Sequence, residues 1–305
     1  MRIGELAPAA LAARLAGDGI LIPCGTFNVS IRSDIAALTR GLRQLYADFA
    51  LLDRRDTYVD FEVEVFSPTW LRRFLRPQVI LRCDGRIPFK PLPLGQAMPM
   101  LEWGLNWVIS SHAHDHFVLH AAVVERDGRA LVLAADPGSG KSTLCAALVH
   151  SGWRLLSDEL ALVSLSDGLI HPIARPISLK NASIEIVRAL GPEVVISETC
   201  HDTAKGSVAH MRPPTASVEA IGQRVRAAML VFPKFGAGSP LRSATEGPAH
   251  ALVELTRHAF NVSVLADAGF EALCGFIDAV HAYRIEYGSF DQVIPEIEHL
   301  WLEST

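Results

Sequence analysis

Apolar and polar residues alternate along Phe27-Asn28-Val29-Ser30-Ile31 and along Tyr58-Val59-Asp60-Phe61-Glu62-Val63-Glu64-Val65, the period-two signature of half-buried strands. Gln78–Cys83, closed by Asp84-Gly85, predicts a further strand entering a turn. Ahead of these, Leu6, Leu11 and Leu15 lie at near-helical spacing and predict an amphipathic helix; Glu5 and Arg14 interrupt the apolar stretch a secretory signal would need. The Pro-rich stretch Pro88–Pro99 marks a break, after which Trp103, Leu105, Trp107 and Val108 make Glu102–Ser111 a mostly buried helix. The pattern then changes. Phe117–Val124 and Ala130–Ala135 are apolar runs on either side of the turn Arg126-Asp127-Gly128. A helix is expected to end near Ser151, followed by short strands at Arg154–Leu156 and Leu160–Leu165. The last quarter reads helical over Ala249–Phe260, Gly269–Tyr287 and Phe290–Leu302, with Gly288 as the stop after the middle segment.

This change of pattern near residue 110 predicts two domains in the 305-residue chain. Residues 1–110 form a β-rich α+β domain, and residues 111–305 an α/β domain built around a strand–loop–helix unit. Half the residues are hydrophobic, enough for a substantial core. The formal net charge of −5 argues against a general nucleic-acid binder, which carries a basic face. No apolar run reaches the length of a membrane span. The five cysteines are scattered without a C-x-x-C pair, as in a reduced, cytoplasmic protein.

The strand Ala130–Ala135 runs directly into Asp136-Pro137-Gly138-Ser139-Gly140-Lys141-Ser142-Thr143. This is a phosphate-binding loop in relaxed form, with Ala135 where the first glycine usually stands. Small residues let backbone N–H groups wrap a phosphate closely, and the following helix aims its N-terminus at the anion. Lys141 would reach the β- and γ-phosphates, and the Ser142 hydroxyl would bind Mg²⁺. The pattern therefore implies ATP and Mg²⁺.

In Ser157-Asp158-Glu159, Asp158 lies sixteen positions after Ser142, with room between for only one short helix and one short strand. Adjacent carboxylates there can divide two tasks, one holding the metal and the other accepting the proton of an attacking hydroxyl. A third group is His112, His114 and His116, followed by His120. Alternating histidines on a strand would share one face as metal ligands, but this segment follows a helix, where such cations sit favourably without a metal. His120 is set apart, expected on the strand that pairs with the one entering the loop. Lys180, Lys205 and Arg212 lie in Gly/Pro-marked stretches; each can clamp phosphate or acceptor, and each can equally be a solvated surface residue.

From Leu119-His120-Ala121-Ala122 through Ala135–Thr143 to Trp153–Glu159, the chain resembles the HPr kinase/phosphorylase superfamily, most closely its HPr-kinase-related branch. The resemblance continues more weakly through Pro176–Asn181, Lys205–Pro214 and Asn261–Tyr287. It implies a kinase domain of the HPr kinase/PEP carboxykinase-like type. It further implies that Asp158 is the general base, His120 its support, and Glu159 a metal ligand. Ser178-Leu179-Lys180-Asn181 stands where the family carries a Glu-Ile-Arg-Gly-type signature, which leaves one metal ligand unassigned. The N-terminal domain does not match that of HPr kinase, so the expected acceptor is not HPr. By resemblance to kinases of peptide-modifying pathways, it is a serine hydroxyl of a peptide or protein, recruited by the N-terminal domain, in a chain that can assemble as a homo-oligomer. A small-molecule kinase with the same centre and a slow ATPase switch are the alternatives.

Overall fold

In the computed structural model, which describes Met1–Ser304, contacts divide the chain into two units. One comprises Met1–His112 with Ser178–Glu219, and the other Ala113–Ile177 with Ala220 to the C-terminal end. The chain passes from the first unit to the second after His112, and the return of 178–219 to the first unit has no marker in the sequence.

The first segment carries α1 (Pro8–Ala16), β1 (Ile20–Cys24), β2 (Phe27–Ser33), α2 (Ala36–Leu45), β3 (Phe61–Phe66), β4 (Gln78–Cys83), β5 (Leu92–Pro93) and α3 (Ala97–His112). The strands form one sheet in the order β1-β2-β3-β4-β5, with β2 and β3 parallel and the other pairs antiparallel. Alternate residues Val29, Ile31, Val63, Val65, Val79 and Leu81 are buried, as the period-two pattern requires. Helix α3 begins earlier than expected because Pro99 sits in its first turn, where a missing N–H costs nothing. Gly104 brings α3 against the sheet: a Cβ there would lie 2.1 Å from Leu81 Cδ1. Both sheet edges are blunted. β5 is two residues long and contains Pro93, while β1 contains Pro23, and its Leu21 carbonyl accepts the Leu52 N–H at 2.9 Å.

The second segment carries β6 (His116–Leu119), β7 (Ala121–Arg126), β8 (Arg129–Ala134), α4 (Lys141–His150), β9 (Arg154–Ser157), β10 (Ala161–Ser164) and β11 (Leu169–His171). The expected single run Phe117–Val124 is thus two strands, broken at His120. β6 pairs with β10, whereas β7 pairs with β8 and β9. His120 therefore sits at the break and not within the hairpin strand.

The chain then adds β12 (Ile177–Lys180), α5 (Ala182–Arg188), β13 (Cys200–Thr203), β14 (Gly206–Met211) and α6 (Thr215–Glu219). These strands form a small sheet in the order β12-β14-β13. His210 and Met211, expected in a loop, end strand β14 instead.

The last segment carries β15 (Val225–Phe235), β16 (Arg242–Thr245), α7 (Pro248–Thr256), α8 (Val262–Asp278), β17 (His281–Tyr287) and α9 (Phe290–Glu303). The large sheet runs β6-β10-β11-β15-β8-β7-β9, and β17 joins β15 in parallel with β16 beyond it. His281–Tyr287 is therefore a strand and not the end of a helix. Its Ala282, Ile285 and Tyr287 are buried among half-buried and exposed neighbours. On one face of this sheet Ala121, Val123, Val132, Ala134 and Leu230 pack with Leu255, Leu273, Phe276 and Ile277 of α7 and α8. By alternation, Ala122, Val124, Leu131 and Leu133 point to the other face. Both units mix helices with β-sheet, and no helix among the described residues is long and apolar enough to cross a membrane.

Candidate functional site

Strand β8 is buried along Ala130–Ala134 and is held between parallel β15 and antiparallel β7. The chain leaves it through exposed Asp136-Pro137-Gly138 and enters α4 at Lys141. Gly138 and Gly140 both have φ of +91°, a conformation that costs any residue with a Cβ about 1–2 kcal/mol. At Gly140 space forbids a side chain as well, since a Cβ would lie 2.9 Å from Phe235 Cβ and 3.1 Å from Tyr287 Oη. The loop is pinned by the Phe235 N–H donating to the Ser139 carbonyl at 2.9 Å and by Ser139 N–H to Asp136 carbonyl at 3.2 Å. No side chain caps α4 at Gly140. The first turn of a helix presents N–H groups that its own backbone cannot satisfy, the kind of terminus that suits an anion.

Alanine at Gly138 and at Gly140 separates the two constraints. Gly138→Ala pays only the left-handed backbone, because nothing lies within 4 Å of its Cβ, and is expected to lower Tm by a few degrees. Gly140→Ala must also displace Phe235, so its Tm falls further; equal melting shifts would show that the packing against Phe235 is immaterial.

Strand register brings the acids to the same end of the sheet. On β7, Ala121 faces Ala134 of β8 and Val123 faces Ser157 of β9. β8 and β9 flank β7 and both run antiparallel to it, so the glycine loop and Asp158-Glu159 leave these two strands at the same end of the sheet. Ser157 Oγ accepts the Leu160 N–H at 3.2 Å and closes that turn. Asp158 is buried at 4 % exposure, and Lys141 at 7 %. Between them in charge lies Cys145, one turn after Lys141. Its thiol is pushed well above the ordinary range by burial first and the Asp158 carboxylate second, with Lys141 opposing.

Lys141 Nζ donates to the His120 carbonyl at 3.3 Å. His120 Nδ1 lies 3.2 Å from the Glu159 carbonyl, which can only accept, so Nδ1 is the donor in this contact. The break at His120 thus ties Lys141 to Glu159.

Four residues not singled out in the sequence, Arg257, His258, Phe260 and Asn261, join this end of the sheet. The His120 N–H donates to the His258 carbonyl at 2.6 Å, and the Phe260 ring meets the His120 ring edge-on at 5.6 Å. Asn261 secures the segment: its Oδ1 accepts the Val118 N–H at 2.9 Å and its Nδ2 donates to the His116 carbonyl at 2.8 Å. Arg257 reaches Asp136 of the loop at 3.8 Å. The His258 imidazole is buried, which holds its pKa below the ordinary value, while Asp136 raises it and Lys141 lowers it. In sequence, Arg257-His258 reads only as two cations at a helix end.

The remaining candidates have other surroundings. Lys180, Lys205 and Arg212 belong to the first unit, whereas the loop, His120, Asp158 and Glu159 belong to the second. Lys205 Nζ stands 5.3 Å from the Trp103 ring centre. Arg212 donates to Asp48 at 2.5 Å, and Thr215 Oγ1 donates to the same carboxylate at 3.0 Å. His112 ends α3 with its ring 2.8 Å from the Val108 carbonyl, His114 is exposed, and His116 pairs with Asp115 at 2.7 Å. Being split between helix and strand, they share no face. Among the described residues, no three His, Cys, Asp or Glu side chains are placed to hold a metal ion. One hydroxyl, Ser142, and one carboxylate, Glu159, still suit Mg²⁺ as nucleotide sites hold it, mainly by phosphates and water.

A family model described as "SynChlorMet cassette protein ScmC" matches residues 96–173, about a quarter of the chain, a window holding the loop, His120, Asp158 and Glu159. No curated protein matches the chain. Among solved structures, the HPr(Ser) kinase/phosphatase from Coxiella burnetii aligns over 61 % of this chain and 98 % of its own, with 12 % identity and a TM-score of 0.27. That TM-score is too low to establish a common fold.

Proposed function

We propose that the second unit binds ATP with Mg²⁺ at Asp136–Thr143 and transfers the γ-phosphoryl group to a hydroxyl. The observation that carries this reading is the convergence, at one end of the large sheet, of a helix start behind two left-handed glycines, buried Lys141 and buried Asp158. Asp136, Pro137, Gly138, Ser139 and Gly140 form the cradle, and Lys141, Ser142 and Thr143 open the helix that faces the phosphates. Bound Mg²⁺, held by Ser142 and Glu159, would neutralise charge on the phosphates.

In the transfer, the acceptor oxygen forms a bond to the γ-phosphorus as the bond to the ADP oxygen breaks. Asp158 takes the hydroxyl proton, Lys141 offsets charge at the transferring group, and His120 positions the Asp158-Glu159 turn through the Glu159 carbonyl. Such a reaction needs little covalent chemistry from the protein, so positioning and charge carry its rate. The acceptor is a serine-type hydroxyl on a peptide or protein; this rests on the resemblance to HPr-kinase-related proteins.

The test is incubation of the full chain with γ-labelled ATP, Mg²⁺ and either a peptide or a metabolite extract. Label in a peptide supports the reading, and label in a small molecule moves it to a metabolite kinase. Phosphate release alone, independent of acceptor, would make the unit an ATPase switch. Glu159→Gln tests the metal role: half-maximal activity is expected at a higher Mg²⁺ concentration with the maximal rate largely recovered. An unchanged Mg²⁺ titration would remove Glu159 from the metal site.

A further inference from the structure

The connection from β3 to β4 joins antiparallel neighbours, a task two residues can perform, yet it runs from Ser67 to Pro77. Its sequence, Ser-Pro-Thr-Trp-Leu-Arg-Arg-Phe-Leu-Arg-Pro, contains three arginines and no acid in a chain of net charge −5. The segment is an ordered helical turn: Arg73 N–H donates to the Trp70 carbonyl, and Leu75 N–H to the Leu71 carbonyl at 2.9 Å. Trp70 and Phe74, like Leu71 and Leu75, are four residues apart and lie on one face of that turn. All four stand in solvent, with exposures of 75 % for Trp70, 47 % for Leu71, 77 % for Phe74 and 59 % for Leu75. Single exposed apolar residues need no explanation, but four large ones on one turn form a patch that does.

We infer that this turn is a membrane-surface anchor that docks the first unit onto bilayers containing anionic lipid. The occupant follows from charge and shape together. Arg73 is tied back to Asp34, which orients the turn, while Arg72 and Arg76 flank the apolar side chains. An indole and a phenyl ring standing out between guanidinium groups match the headgroup–acyl boundary, where rings insert and arginines meet lipid phosphates. The side chains project outward, so a bilayer can take them without a preformed groove. The binding is peripheral and reversible, because one short apolar turn with two cations gives marginal affinity on its own.

Vesicle sedimentation of the full chain tests this, using pure phosphatidylcholine against phosphatidylcholine with 30 mol% phosphatidylglycerol at about 0.15 M salt. The protein is expected to bind the anionic vesicles roughly tenfold better than the neutral ones. Trp70→Ser with Phe74→Ser should abolish binding, and Arg72→Gln with Arg76→Gln should weaken it by a similar factor of about ten. These four side chains are at the surface, so Tm should stay at the parent value in both variants. Absence of binding to the anionic vesicles would overturn the inference, as would binding that survives both substitutions. Concentration-dependent self-association without vesicle binding, lost with Trp70→Ser and Phe74→Ser, would overturn it in favour of a second copy of the chain.

Discussion

Lys141→Ala is expected to reduce phosphoryl transfer severely and also to weaken MgATP binding, so that it acts on both the chemical step and the ground state. The side chain is the one cation inside the loop that opens α4, and it is held at 7 % exposure with Nζ on the His120 carbonyl. A cation fixed in a water-poor site stabilises developing charge far more than one in solvent, and loss of one such group typically costs ~10²–10³ in rate. Here the loss falls on ground-state phosphate binding too, so kcat/KM should drop further than kcat. Alanine also removes the buried stem, which could lower stability for reasons unrelated to charge. Lys141→Met keeps the stem and removes only the cation, and it should reproduce the functional loss with a Tm near that of the parent. Calorimetric titration with MgATP and a labelled-transfer assay are the readouts. Near-normal transfer by Lys141→Met would end the phosphate-loop reading.

The local pattern was enough to read the elements around that lysine. Gln78–Cys83 shows as a strand, and the apolar run into Asp136–Thr143 followed by a helix to the Ser151 region is seen in β8 and α4. These segments owe their state to short-range features, namely alternation, a turn pair, or a glycine loop. Where long-range pairing decides the state, the sequence misleads. Along α8 the buried positions Leu273, Phe276 and Ile277 keep a helical spacing, and beyond it Ala282 and Ile285 continue the pattern by being three apart. Only the pairing of Met229–Phe235 with His281–Tyr287 makes the second set a strand. β15 itself went unread because Met229–Phe232 is buried on both faces and shows no alternation.

The candidate site shows the same division. The loop and the two acids are readable from residue types, since the spacing from Ser142 to Asp158 leaves room for only one helix and one strand. Arg257 and His258 are not, because they reach the site through the pairing of Leu119 with Ala259 and the hydrogen bond from His120, contacts between segments far apart in the chain. The break at His120 is equally hidden. Phe117–Val124 is continuous in hydrophobicity, and it splits because its halves answer to different partners, β10 on one side and β8 with β9 on the other. The membership of Lys180, Lys205 and Arg212 in the first unit follows from the return of Ser178–Glu219, which composition does not announce.

Asp158→Asn separates chemistry from binding. The substitution keeps the shape of a side chain buried at 4 % exposure but removes its capacity to take a proton. Loss of a general base costs typically ~10²–10⁴ in rate, so kcat should fall within that range while the Kd for MgATP changes little, because Ser142, Glu159 and the loop are untouched. The amide also removes a negative charge near Lys141, which opposes Asp158 in its action on Cys145. Left without that compensation, the lysine favours phosphate slightly more, so any change in nucleotide affinity should be towards tighter binding. Glu159→Gln has the opposite signature, with the Mg²⁺ dependence moved and the maximal rate largely kept. The paired result matters more than either alone. If Asp158→Asn moved the Mg²⁺ titration and Glu159→Gln lowered kcat, the two carboxylates would have exchanged roles, with Glu159 taking the proton and buried Asp158 holding the metal. If acceptor-independent ATP hydrolysis persisted unchanged in Asp158→Asn, no base would be required at that position, and this end of the sheet would be a nucleotide switch and not a kinase centre.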